Sequence, residues 1–332
     1  MFPRTNRVIL PVALGLSLVL GACAPAATPA PTAEPTAAPT TAPPTATEEP
    51  APTPIVLTDS LGRQVTLAAP AQRIVSLAPS NTEILFAIGA GDQLVGRDEF
   101  SDFPPEALEA PSIGSLYPQV NAEAVVELEP DLVLAAGITN PDDVEALAGL
   151  GLTVYATSVA ANLDDIYDDI LAVGTLTGQT DEAETLVADL RARVEAVSAR
   201  TAGMAERPRV FYEIDATDPA SPWTAGPGSF IDQLLTLAGG TNVGNVGADL
   251  YYQISLEELV NQDPDVIVLG SSTYGGQTPE LLAQRAGWEN LTAVKNRAVY
   301  TFDDNLVSRP GPRVIDGLEA LAMLIHPDLF DE

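Results

Sequence analysis

The chain has one cysteine, one histidine and 15 basic residues against 46 acidic ones in 332. Each shortage removes a class of function. A lone thiol, Cys23, cannot close an internal disulfide or build a multi-cysteine metal site. A lone imidazole, His326 in a C-terminal His-Pro-Asp segment, cannot supply the several histidines that receptors for free zinc or manganese bring to the ion. No Gly-x-Ser-x-Gly elbow and no phosphate-loop motif is present, so the common hydrolase and nucleotide-binding apparatus is missing. Acidic pairs such as Asp164-Asp165, Asp168-Asp169 and Asp303-Asp304 read as solvated faces in so acidic a chain. A formal charge of −31 argues against nucleic acid, whose phosphates demand clustered Lys and Arg. Aromatic residues make up only 5%, with two tryptophans, Trp223 and Trp288.

No apolar run is long enough to span a bilayer comfortably. The longest, Val8 to Leu20, follows Arg4 and Arg7 and precedes Leu20-Gly21-Ala22-Cys23, the outline of an export signal over residues 1–22. Its cysteine sits where bacterial lipoproteins carry the lipidated residue of their lipobox, and the segment resembles one. Lipidation would leave the mature chain without a free thiol and would hold it on a membrane by its acyl chains. Loss of Arg4 and Arg7 with the signal takes the charge from −31 to −33. Residues 23–54 are nearly all Pro, Ala and Thr, a composition that cannot bury enough apolar surface to order itself and serves as an extended tether.

Beyond the tether the dominant feature is a repeat. Val120 to Gly137 reads VNAEAVVELEPDLVLAAG and Ile254 to Gly270 reads ISLEELVNQDPDVIVLG. Placing Glu123 on Glu257 aligns Pro130 with Pro264, Asp131 with Asp265, and Leu132-Val133-Leu134 with Val266-Ile267-Val268. Each copy predicts a short helix stopped by proline, then an uninterrupted apolar strand covered on both faces, as in parallel sheets. Arg73-Ile74-Val75 and Arg209-Val210-Phe211 open the two units in the same way, and Val95-Gly96 and Val243-Gly244 recur later in each.

The pattern predicts an α/β fold of two lobes, residues 55–178 and 205–332. Ile55 to Leu67 alternates as a hairpin. Strands are expected at Ile74 to Leu77, Asp131 to Ala135, Thr153 to Ala156, Arg209 to Ile214 and Ala298 to Phe302. Helices are expected from Ser80, where Ser80 and Glu83 have capping-box spacing, from Pro141, Asn162, Ser229, Thr278 to about Ala286, and Pro312 to Leu324. Thr180 to Ala202 lacks Pro and Gly and carries Ala183, Leu186, Val187, Leu190, Val194 and Val197 on one helical face. It reads as a single helix, residues 179–204 with its ends, crossing between lobes and disfavouring large hinge motion.

The run RIVSLAPSNTEILFAIGAGDQLVG (Arg73 to Gly96), SDFPPEA (Ser101 to Ala107), the paired glutamate segments and RPGPR (Arg309 to Arg313) resemble the substrate-binding proteins of ABC importers for cobalamin and ferric siderophores. The resemblance spans about Ile55 to Phe330. It implies two Rossmann-like lobes with mostly parallel sheets joined by one rigid helix, the class III periplasmic-binding-protein fold. It also implies a non-enzymatic monomeric receptor with no resident cofactor, whose ligand carries cobalt or iron. Such a receptor hands its chelate to a membrane permease dimer with ATPase subunits, and the family's two permease-docking glutamates fall on Glu123 and Glu257. Outside the cytoplasm, Cys23 would be its anchor.

Ligand contacts are expected on loops after strand ends: Tyr117, Trp223, Tyr252 and Arg309, then Phe100, Phe103, Tyr251 and Arg97. Aromatic faces suit a flat or bulky chelate, and arginine suits an anionic one. Cobalamin receptors of the family often bring several tryptophans to the cleft, so tyrosines would have to substitute here. Few arginines are on offer for an anionic siderophore, which tilts the reading toward a corrinoid. Haem, a free metal ion and an extracytoplasmic enzyme remain the alternatives.

Overall fold

A computed structural model describes residues 53–330. The export signal, Cys23 and nearly all of the tether lie outside the described residues. A hairpin of β1 (Ile55–Thr58) and β2 (Gln64–Leu67) comes first, its turn fixed by Asp59, which accepts from the Arg63 amide at 2.8 Å and pairs with the Arg63 guanidinium at 2.5 Å. The first lobe follows as β3 (Ile74–Ser76), α1 (Pro79–Ala87), β4 (Leu94–Arg97), α2 (Ala122–Glu127), β5 (Leu132–Ala135), α3 (Pro141–Gly149), β6 (Val154–Ala156) and α4 (Leu163–Thr177). Its four strands are all parallel, in the order β4-β3-β5-β6. Asn162 and Asp165 form a complete capping box on α4, and Gly178, at φ 78°, ends it.

Helix α5 (Thr180–Thr201) leads to the second lobe: β7 (Arg209–Asp215), β8 (Trp223–Ala225), α6 (Phe230–Leu237), β9 (Thr241–Asn242), β10 (Tyr251–Gln253), α7 (Leu256–Gln262) and β11 (Val266–Leu269). The short turns α8 (Ser272–Gly275), α9 (Pro279–Leu282) and α10 (Thr292–Lys295) precede β12 (Val299–Thr301), and α11 (Asn305–Ser308) and α12 (Val314–Ile325) follow it. Strands β9, β7, β11 and β12 repeat the parallel order of the first sheet, while β8 and β10 extend the β7 side as antiparallel strands.

The repeat is present down to its backbone strain. Glu129 and Asp263, each just before the aligned proline, have φ of 47° and 43°, a left-handed conformation uncommon for residues with a side chain. The next residue performs one task in both lobes. Asp131 accepts from the Arg73 amide at 3.0 Å and Asp265 from the Arg209 amide at 2.9 Å, tying the start of one strand to the start of its neighbour. Each arginine side chain then reaches the carbonyls behind the repeated helix, Arg73 to Leu128 at 2.6 Å and Arg209 to Gln262 at 2.7 Å.

Alternation along the strands sorts the apolar residues into three clusters. Val75, Val133 and Ala135 face outward onto α2 and α3, and Phe211, Ile267 and Leu269 face outward onto Leu259 and Trp288. Their neighbours Ile74, Leu132, Leu134, Val210, Tyr212, Val266 and Val268 face the other way, into one cluster that includes Ala183, Val187, Leu190 and Val197 of α5. Helix α5 packs on α4 of one lobe and on α6 and α12 of the other. The two lobes therefore share a core.

A second tie between the lobes replaces an expected cap. Helix α1 begins at Pro79 with no side-chain cap, and Glu83, expected to close a capping box with Ser80, is buried and faces the other lobe. Its carboxylate accepts from Arg313 at 2.6 and 3.0 Å and lies 3.7 Å from Arg309, which in turn pairs with Asp102 at 2.6 Å. The helix expected from Thr278 to Ala286 shortens to α9. The chain there tightens so that Arg285 reaches the buried Glu213 and stacks on Trp288 at 4.6 Å, and Gly287 at φ 89° turns it away.

Desolvation raises the carboxyl of Glu83 despite Arg313, and burial likewise raises Asp98 and Asp169 despite their hydrogen bonds from Ser101 and Ser158. A carboxyl raised in the folded state contributes stability that is complete below its unfolded value and is lost as pH climbs through the folded value. Asp263, held low by the Thr292 amide, and Asp265, held low by Arg209, act in the opposite sense and lose their contribution only below the ordinary 3.8. Relief of the large negative charge acts in the same direction as the raised group. The melting temperature should therefore rise from about pH 8 to about pH 5 and fall below about pH 4; a steady decline from pH 8 downward in calorimetry contradicts this. Glu83→Ala, which leaves Arg309 and Arg313 without their shared counterion, should cost about 3 kcal/mol in denaturant unfolding.

Candidate ligand-binding site

A cavity of about 390 Å³ lies between the lobes. Its first wall comes from the first two turns of α1 (Ser80, Asn81, Ile84), the loops after β5 and β6, and Asp169 of α4. The facing wall comes from Ile214 at the end of β7, Trp223 of β8, Tyr251 of β10, Phe230 and Ile231 of α6, and the segment from Asp304 to Pro310. Apart from Trp223 and Tyr251, which open the antiparallel strands β8 and β10, these are carboxyl ends of strands and the elements that follow them, the place where open α/β sheets leave a crevice.

The walls are held from behind. Asn81 donates to the carbonyls of Leu134 and Ala135 at 3.3 and 3.0 Å and accepts from Thr157 Oγ1 at 3.0 Å, locking three loops of the first lobe together. Asp169 accepts from the Ser158 amide at 3.0 Å and from its hydroxyl at 2.7 Å, with burial pushing the carboxyl up. Across the cleft, Asp304 accepts from the Tyr212 hydroxyl at 2.7 Å, and burial holds that phenol well above its usual range.

Of the expected contact residues, Trp223 and Tyr251 line the cavity. They stand on the antiparallel strands β8 and β10 and not on loops, paired in register through Tyr251 with Ala225 and Gln253 with Trp223. Tyr252, on the opposite face of β10, is locked into its own lobe. Its hydroxyl donates to the Gly244 carbonyl at 3.0 Å, and its ring covers Gly247, where an added Cβ would sit 2.3 Å from it. Arg309 is buried in its ion pairs with Asp102 and Glu83 and is not presented to the cavity. Arg97 donates to the Asp98 carbonyl at 3.0 Å on β4, away from the cavity lining. Phe103 lies under the Arg313 guanidinium at 3.8 Å, and Phe100 is exposed on the same loop. Tyr117 is 86% exposed and does not line the cavity.

Several lining residues carry no plain sequence signal. Ser80 and Asn81 sit in what reads as an ordinary helix start. Asp169 and Asp304 belong to acidic pairs expected to face solvent, yet both enter the cleft, because α4 turns Asp169 toward Ser158 and Tyr212 needs an acceptor for its buried hydroxyl. Ile138 and Val159, 79% and 66% exposed, form an apolar rim on loops too irregular for periodicity to flag.

Glu123 and Glu257 occupy the same place in their lobes, the second residue of α2 and of α7 after the capping residues Asn121 and Ser255. Both are exposed, and neither is ion-paired among the described residues. Among those residues no set of three or more His, Cys, Asp or Glu is grouped to hold a metal ion, and no helix is long and apolar enough to cross a membrane.

Comparison with known proteins agrees with this geometry. An uncharacterized ABC transporter substrate-binding lipoprotein, YvrC of Bacillus subtilis, is 34% identical over 84% of this chain and 88% of its own length. A cobalamin-binding protein of Halobacterium salinarum is 32% identical over 82% of this chain and 74% of its own. The crystal structure of the periplasmic vitamin B12 binding protein BtuF of Vibrio cholerae, 30% identical, covers 78% of this chain and 98% of its own with a TM-score of 0.66. All three are named as binding proteins, YvrC as one of an ABC transporter. Residues 74–306 match the family described as periplasmic binding protein, and the chain belongs to it.

Proposed function

We propose that the protein is a lipid-anchored, extracytoplasmic receptor that captures a metal chelate between its lobes and delivers it to an ABC importer. The observation that carries the reading is the interlobe cavity, with Trp223 and Tyr251 on one side, the exposed Ile138 and Val159 on the other, and walls fixed by hydrogen bonds behind them. A cavity of about 390 Å³ would seat part of a large chelate, and the apolar rim would support the rest. The cobalamin-binding relatives favour a corrinoid over an iron-siderophore complex. The metal, cobalt or iron, would arrive inside the ligand. Cys23 and the tether would give a monomeric receptor its reach from the membrane.

In this reading Glu123 and Glu257 dock the loaded receptor. Carboxylates at equivalent positions of two related lobes give a nearly twofold pattern, matched to a permease dimer, and arginine is the natural partner. Rim charges of this kind set register and encounter rate more than affinity for cargo. Capture is tested with the signal-free protein by tryptophan fluorescence during titration with cyanocobalamin. Trp223 is 41% exposed in the cleft and Trp288 is buried, so quenching should survive Trp288→Phe and largely vanish in Trp223→Phe; equal quenching in both variants removes the cleft from the account. Replacing both Glu123 and Glu257 by Ala should abolish uptake in cells while leaving that titration unchanged, and normal uptake in the double variant excludes docking through them.

A further inference from the structure

Among the described residues no lysine, arginine or histidine lines the interlobe cleft. Its two carboxyl side chains are Asp169 on one wall and Asp304 on the other, and burial raises its one phenol, Tyr251. Each is held by neutral hydroxyl and amide donors, Ser158 and Tyr212, and neither is in an ion pair among the described residues. No cationic side chain of the described residues offsets them from within the site.

The lack of positive charge is built in, because a cation stands next to the cleft and is turned away. Ser308 and Pro310 both line the cavity, and Arg309 lies between them in sequence. Its guanidinium points to Asp102 at 2.6 Å and Glu83 at 3.7 Å, leaving the side chain 8% exposed. Arg313 is held twice by the same Glu83 and lies over Phe103. The acids of the first lobe thus engage the charge of the RPGPR segment. What remains for a ligand is aromatic and aliphatic surface, the hydroxyls of Ser80 and Ser308, and two uncompensated carboxyls.

The geometry points to a charge filter: the cleft accepts neutral or cationic metal chelates and rejects anionic ones. This rests on the proposed chelate cargo and names its class. An anionic complex would shed hydration into a space with no counterion and two like charges facing it. A neutral complex rich in amides or hydroxamates loses little on entry and can accept hydrogen bonds from the serines.

Two matched pairs of probes test the filter on the signal-free protein: a neutral ferric trihydroxamate against a trianionic ferric tris-catecholate, and dicyanocobinamide against dicyanocobyrinic acid, in which carboxylates replace the amides. Titration in about 1 M salt, where the screening length is about 3 Å, removes the contribution of the protein's overall charge. The neutral member of at least one pair should bind about a hundredfold more tightly than its anionic partner. Anions that bind within about threefold of their neutral partners overturn the filter while leaving the chelate reading intact. If no member of either pair binds, the chelate reading fails and the filter with it. Ile138→Arg, at an exposed rim position, should raise affinity for the anionic partner about tenfold. An unchanged preference in a variant that remains folded also counts against the filter.

Discussion

The two lobes are joined by apolar packing around one helix, and the cleft between them depends on that union. Ala183, Val187, Leu190 and Val197 of α5 are buried in the cluster that takes in the inner faces of both sheets. A hinge made of exposed strands can bend at little cost. Here, opening the lobes by a large angle would expose part of a common core, at roughly 25 cal/mol for every Å² of apolar surface returned to water. Arg193 on α5 adds an ionic fastening to Asp316 and Glu319 of α12, each at 2.6 Å. The cleft is accordingly preformed, and a ligand does not have to organise its own site.

The ionic bridge of Glu83, Asp102, Arg309 and Arg313 has a different character. Burying Glu83 and Arg309 is costly, and a well-packed apolar contact of the same shape could serve stability as well. Its distinctive result is directional, since it fixes where the RPGPR segment lies and draws its guanidinium groups out of the cleft. Glu83 stays buried with its carboxyl raised by desolvation, which marks the arrangement as one held against an energetic penalty. The two cleft acids, the buried Asp169 and the half-buried Asp304, are satisfied by Ser158 and Tyr212, and so keep the cleft ordered without neutralising it.

The frame of the fold was legible because it depends on local pattern and on duplication. Pro130 and Pro264, the apolar triplets behind them and the face of α5 all act within a few residues of themselves, and the structure adds a matching left-handed residue before each proline. The antiparallel strands β8 and β10 were not legible. Each has three residues, too few for a period to show, and their pairing brings together positions far apart in the chain. The same limit governs the site. Trp223 and Tyr251 could be named from residue type, but Ser80 reads as a cap, Asp169 as a solvated acid and Arg309 as an anion binder until the opposite lobe is in place. The pairing of Arg309 with Asp102 spans 207 residues, and nothing in the local sequence of either announces the other.

A shared core also constrains how a transporter could tell a loaded receptor from an empty one. Helices α2 and α7, which carry Glu123 and Glu257, pack on the outer faces of the two sheets through Val125 and Leu259, while α5 fixes the inner faces. With the two lobes sharing a core, the separation of the two carboxylates would change little if cargo entered as proposed. A docking contact made only through them would then capture empty and loaded receptors alike. Discrimination would then fall to surfaces that the ligand itself alters, and the exposed Ile138 and Val159 at the mouth of the cleft would be such a surface. Cargo resting on that rim would cover apolar area facing outward, so the loaded state would differ from the empty one by what it presents and not by how far it has moved.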